Sequence, residues 1–339
     1  MTLEKIPFSV LDLVPVTQGN SHLQAIQNSL SLAKTVEYLG YKRFWISEHH
    51  NTESLVSSAT AVLIGYIAQG TNHIRVGSGG IMLPNHTPLV VAEQFGTLET
   101  LYPGRIDLGL GRAPGTDQRT AKALRRERVE TVHDFPRDVM ELEYYFSDPT
   151  DFQHSGTGVR AIPGEGLEVP LYLLGSSLFS AQLAAETGLP YAFASHFAPT
   201  HLFEAFQLYR DGFTASKQLK NPYTIAAVNV IIGDTDEEAH FLSGSMKLFI
   251  LNIIRNTRNP LLPPPKTMDG LWTPVEEAHA RHMMHFTFIG SKETVERELK
   301  AFVQKTKADE LMVITYIYDH QKRLRSYELL SEIDIFQKS

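Results

Sequence analysis

The chain has 339 residues, 42% of them hydrophobic and 20% charged, so it can bury a large core and lacks the composition of a disordered segment. The formal net charge is −7 with both signs interspersed, which supplies no basic stripe for a nucleic-acid backbone and no polybasic membrane patch. Cysteine is absent, and with it disulfides, thiolate nucleophiles, cysteine-bound zinc and iron–sulfur clusters.

The opening MTLEKIPFSVLDLVP carries acids and only a short apolar run, too short for a signal-peptide core or a membrane span, so the protein is expected in the cytoplasm. From there, short β-branched or aromatic runs alternate with segments of helical period. A strand is predicted at Phe8–Leu13, then a helix over His22–Leu39 with Leu23, Ile26, Leu30, Ala33, Val36 and Tyr38 on one side. Strands at Arg43–Ser47 and Ile74–Leu83 follow, then a helix at Leu89–Leu101, a strand at Arg105–Gly111 and a helix over Ala121–Phe146. Asp148–Glu168 is rich in turn formers and reads as an insertion holding a small hairpin. The alternation resumes with a strand at Pro170–Gly175, a helix at Leu178–Thr187, a strand at Tyr191–Ser195, a helix at Leu202–Ala215 and a strand at Tyr223–Ile232. A second insertion, about 253–285, contains Arg255–Trp272, whose proline run forbids a regular helix and whose length suits either a lid or a passive excursion. A helix at Ser291–Lys305 and a strand at Glu310–Tyr316 complete the series.

Eight strand-then-helix units predict a (β/α)8 TIM barrel, a single domain over residues 1–339 with insertions after the fourth and seventh strands. A doubly wound open sheet is disfavoured because LVPVTQ, and no glycine fingerprint, follows the first strand.

Such barrels place chemistry at the C-terminal ends of their strands. FWISEHHN ends the second strand in Ser47, Glu48, His49 and His50. Neighbouring histidines on a strand point to opposite sides, so a shared metal is disfavoured and one ring is expected in the mouth. With a pKa near neutrality it would serve as a general base or as a donor to a bound anion. Gly175, Ser176 and Ser177 precede an apolar helix, where backbone N–H groups and hydroxyls could hold a phosphate, and Arg112 directly follows the fourth strand. Gly77, Gly79 and Gly80 strip side chains from the third strand, as the close approach of a planar ligand would require; a bulge is the plainer alternative. Asp12, His86 and His196 are secondary candidates.

The blocks YLGYKRFWISEHHN, IRVGSGGIMLPNHTPLVVAEQFGTLETLYPGRIDLGLGRAPGTDQ, PLYLLGSSLFSAQLAAETGLPYAFASHF and ADELMVITYIYDH resemble the bacterial-luciferase-like flavin monooxygenases over nearly the whole chain. The match is to a non-luminescent subgroup, since Gly175 and Gly111 stand where the luciferase has an acidic residue and a cysteine. The resemblance implies a barrel, as a homodimer, that uses reduced FMN from a separate flavin reductase, with O2, to oxygenate a small organic substrate. It implies His49 at the chemistry and Ser78, Gly79 and Gly80 at the flavin ring, where the family can carry a non-proline cis peptide. It also implies Arg112, Gly175, Ser176, Ser177 and Ser180 around the phosphate. Alternatives are a deazaflavin-dependent oxidoreductase and a flavin-binding protein without turnover; a metal-dependent hydrolase, with Glu48, His49, His50 and Asp12 as ligands, stands third.

Overall fold

A computed structural model provides the structure and describes residues 5–113, 115–125, 134–148 and 158–339. Ten strands are numbered in chain order: β1 (Ile6–Asp12), β2 (Arg43–Ile46), β3 (Arg75–Met82), β4 (Ile106–Gly111), β5 (Leu171–Gly175), β6 (Tyr191–Phe193), β7 (Thr224–Ile232), β8 (Thr287–Gly290), β9 (Glu310–Ile314) and β10 (Phe336–Gln337). β1 to β7 pair in sequence, and β9 joins β7 to β1 through Ile225↔Glu310 and Phe8↔Leu311, closing a parallel barrel of the eight predicted strands.

Two strands were not expected. β8 pairs with the upper half of β7 from Asn229↔Thr287 to Ile232↔Gly290, on the edge left open where the β6 pairing ends at Phe193↔Ala226. β10 adds two residues beside the start of β1.

The helices fill the outside. His22–Leu39 begins where the Ser21 hydroxyl accepts from the Gln24 N–H and ends at Gly40, whose φ of 87° suits a residue without Cβ. Thr60–Gly70, Pro88–Leu101 and Leu178–Thr187 pack their buried faces on the sheet in the same way. The single helix expected over Ala121–Phe146 is instead two, Gln118–Arg125 and Phe135–Phe146, and Pro136 in the first turn of the second marks a start rather than an interior. Of the insertion Asp148–Glu168, in which a hairpin was expected, residues 149–157 lie outside the described residues, and the described part 158–168 holds a turn at 162–166 and no strand. The second insertion begins in the helix Gly244–Ile254 and contains another, Pro274–Met283. Among the described residues no helix is long and apolar enough to cross a membrane.

Side chains alternate between barrel interior and helix layer. At the N-terminal end the interior is polar. Arg43 binds both oxygens of Glu310 (2.8 and 3.1 Å), Asp107 (2.7 Å) and the Tyr172 hydroxyl (2.8 Å), all deeply buried. Arg75 and the Trp45 indole complete Asp107, and Ser9 and Tyr223 complete Glu310. This network plugs the bottom of the barrel, and above it Leu11, Trp45, Ala192, Ala227 and Met312 turn the interior apolar.

Candidate active site

Above that layer a cavity of about 740 Å3 opens at the C-terminal ends of the strands. His49, Gly79, Gly80, Arg112, Gly175, Ser176, Ser177 and Ser180 all line it, which brings together every predicted site residue except Ser78. The Ser78 hydroxyl is fully buried and donates to the Gly109 carbonyl, holding β3 to β4. The Gly79–Gly80 peptide is cis, as the resemblance implied. Packing also demands these glycines: a Cβ at Gly80 would lie 2.7 Å from the Gly109 carbonyl oxygen, and one at Gly77 2.4 Å from that of Asp107.

One end of the cavity fits an anion. Arg112 follows β4 and stacks its guanidinium 4.3 Å over the Phe179 ring, with no carboxylate paired to it among the described residues. Ser177 is the N-cap residue of Leu178–Thr187, and its side chain makes no cap hydrogen bond. A Cβ at Gly175 would lie 2.0 Å from Ser180 Oγ, which is turned to donate to the Ser177 carbonyl and to meet the Tyr191 hydroxyl. The loop is therefore a backbone cradle, with a cation and two hydroxyls around it.

The acid–base residues sort differently from their sequence reading. β2 ends at Ile46, so His49 and His50 lie on a loop and both face the cavity, instead of pointing apart. His50 Nε2 meets Glu48 Oε1 at 2.9 Å, and His86 Nε2 meets the same carboxylate. Burial alone would raise the Glu48 carboxyl, but the bonds from His50, His86 and the Met82 N–H bring it down to about 2. Glu48 is thus a charged anchor for the loop after β3. His49 does not have the near-neutral pKa expected of it; burial drives the ring down to about 4, with Glu48 opposing and His50 adding. His196, in the loop after β6, is driven to about 3 by burial and by His49. Asp12 accepts from Arg323 at 2.9 Å and is closed to the mouth. Among the described residues no group of three or more metal-ligating side chains is assembled.

The roof comes from the second insertion. Leu261 bonds both ways to β1's continuation, its N–H to the Val16 carbonyl at 2.7 Å and its carbonyl from the Gln18 N–H at 2.8 Å. Arg258 pairs with Asp117 at 2.8 Å and donates to the Asn51 carbonyl, joining three loops across the mouth. Phe249, Ile250, Ile253, Met283 and Tyr316 give this outer chamber apolar walls. Asn229 donates to the His196 carbonyl at 2.7 Å. Sequence reasoning missed Asn229, although one amide inside the apolar run TIAAVNVII was a readable signal. It also missed Asp117, Arg258, Ser47 as a partner of His49, and Ser57.

A family model described as luciferase-like monooxygenase matches residues 6–310. The chain belongs to the luciferase-like monooxygenase family. It is an oxidoreductase that acts with molecular oxygen. This luciferase-like monooxygenase is 49% identical over 333 residues, 98% of each chain, to a luciferase-like monooxygenase of Escherichia coli. The crystal structure of apo-MsnO8 superposes with a TM-score of 0.86 at 33% identity, covering 98% of this chain and 100% of that one. The oxygenating constituent of 3,6-diketocamphane monooxygenase from Pseudomonas putida, solved with FMN, shares the fold at a TM-score of 0.73 and 19% identity, covering 98% and 99% of the two chains.

Proposed function

We propose that this luciferase-like monooxygenase takes reduced FMN from a separate reductase and, with O2, oxygenates a small organic substrate, acting as a cytoplasmic homodimer. Arg112 carries the reading: an unpaired guanidinium beside the Gly175–Ser177 cradle and a helix N-terminus is a place for a phosphate. Arg112, Ser176 and Ser177 would hold the phosphate, Ser180 would buttress the cradle, and Gly79 and Gly80 would flank the ring while Ser78 ties their strand to β4. Reduced flavin, when bound, supplies the electrons that activate O2. His49 and His196 reach the reacting centre as neutral imidazoles, and the apolar chamber beneath the insertion excludes water and takes the substrate. Val62 and Tyr66 on Thr60–Gly70 and Val90 on Pro88–Leu101 are exposed apolar side chains on neighbouring helices, which supports a second copy docking there.

The test compares FMN with riboflavin, which lacks the phosphate. Arg112→Ala should weaken FMN by about 2–4 kcal/mol, roughly 30- to 1,000-fold, and riboflavin less than about threefold. Equal weakening of both would remove Arg112 from the phosphate. Rapid mixing of the reduced complex with oxygenated buffer then separates a monooxygenase from a passive carrier: flavin oxidation indistinguishable from that of free reduced FMN would defeat the oxygen-activating role. An anaerobic titration with the deazaflavin cofactor, if it bound tighter than FMN, would replace the cofactor assignment.

A further inference from the structure

We infer that Ser47 is a positioning residue which, backed by Ser57, fixes His49 in the tautomer that carries its proton on Nε2. The ring then presents an N–H donor, and no lone pair, to the ligand beside Gly79–Gly80. The inference rests on the reading above that His49 serves the reacting centre, and it goes beyond it in deciding what His49 offers.

Ser57 Oγ lies 3.1 Å from Ser47 Oγ, and Ser47 Oγ lies 3.0 Å from His49 Nδ1. Ser57 is 0% exposed and shut off from water, and Ser47, which lines the cavity, is only 2% exposed. Among the described residues Ser47 Oγ is the one partner of Ser57 Oγ, and these two contacts make up the chain of bonds. Thr60 Oγ1 lies 3.0 and 3.1 Å from the carbonyl oxygens of Ser47 and Ser57, and its one proton, shared between them, holds the two backbones together.

Two kinds of proton arrangement fit. In one, Ser57 donates to Ser47 and Ser47 donates to Nδ1, so every hydroxyl proton has an acceptor and the imidazole proton must sit on Nε2. In the other, a proton on Nδ1 points to Ser47, and then either Ser47 donates to Ser57 and the Ser57 proton is left buried, or Ser57 donates to Ser47 and the Ser47 proton is left buried, with nothing among the described residues to receive it. An orphaned buried donor disfavours that second arrangement by ~5–150-fold in population. Nε2 has no partner among the described residues and the ring lines the cavity. Burial keeps the ring uncharged at neutral pH, so the donor is a neutral one. A neutral Nε2–H stabilises negative charge gathering on an oxygen or nitrogen of the ligand, whereas its lone pair, the basic site, is turned to Ser47. Of the two roles expected of His49, general base and donor to a bound anion, this arrangement selects the donor.

The experiment uses the whole chain labelled with 15N-histidine and magic-angle-spinning 15N spectra at pH 7, with the His49 signals assigned by comparison with His49→Gln. The wild type should show a protonated Nε2 and a bare Nδ1. Ser47→Ala, which removes the only partner of Nδ1 among the described residues, should bring in the Nδ1–H form. Ser57→Ala and Ser47→Thr keep a terminal hydroxyl obliged to donate to Nδ1 and should retain the wild-type pattern. A protonated Nδ1 in the wild type, or Ser47→Ala with unchanged signals, overturns the assignment. No flavin is needed, so this result stands apart from any failure of the FMN reading.

Discussion

Replacing Arg43 by Met would test what holds the barrel closed at its polar end. Met keeps much of the apolar stem and removes the guanidinium, so Glu310 loses the contacts at 2.8 and 3.1 Å and Asp107 loses the one at 2.7 Å. Asp107 retains Arg75 at 2.8 Å and the Trp45 indole at 3.0 Å. Glu310 retains only the Ser9 and Tyr223 hydroxyls and, at 3.3 Å, the half-buried Lys42, so most of the loss falls on it. Breaking one partner out of such a buried set costs about 3–5 kcal/mol, or roughly 4–7 °C of melting temperature for a chain of 339 residues. Burial alone would raise both carboxyls; Arg43, the largest opposing influence, brings them below their ordinary values of 4.5 and 3.8. Groups with lowered folded values contribute stability that is full above those ordinary values and is lost as pH falls. The advantage of the wild type over Arg43→Met in urea unfolding should therefore be full at pH 7 and shrink below about pH 4. Adding Glu310→Gln to Arg43→Met should recover at least about 1 kcal/mol, since an amide tolerates the site better than an unpaired charge. A single variant within about 1 kcal/mol of the wild type, or no recovery in the double variant, would refute the account.

Gly80→Ala places a Cβ 2.7 Å from the Gly109 carbonyl oxygen, a backbone atom fixed by sheet pairing. It should lower the free energy of unfolding in urea by about 1–3 kcal/mol even without any ligand, and an unchanged midpoint would mean that ligand approach alone explains the glycine. His49, lowered by burial to about 4, should stay neutral through pH 5 in an NMR titration. Because the folded ring resists protonation more than the unfolded one, its contribution to stability is full above the free value of about 6.5 and declines as pH falls towards 4. His49→Gln should flatten that part of the pH profile, and a ring titrating near 6.5 in the native protein would contradict the burial argument.

The barrel was legible because its eight strands are short β-branched runs set off by glycines and amphipathic helices. The four residues of β8, TFIG, carry no such pattern; they pair only because β6 stops at Phe193 and leaves β7 an open edge. Arg112, Gly175 and the serines were readable from their position after strands, since a cradle is a local device. His49 was readable as a site residue, but its ionisation was not, because burial by distant elements is invisible in FWISEHHN. The same holds for the partnership of Ser47 with Ser57, ten residues apart and joined by the loop that leads into Thr60–Gly70. Pro136 was a signal in plain view and should have divided the long helix.

The polar plug around Arg43 also makes the barrel a vessel closed at its floor, where Arg43, Asp107 and Glu310 fill the tube. Traffic into and out of the cavity therefore runs over the opposite rim, past the strap that Arg258 and Leu261 pin across it.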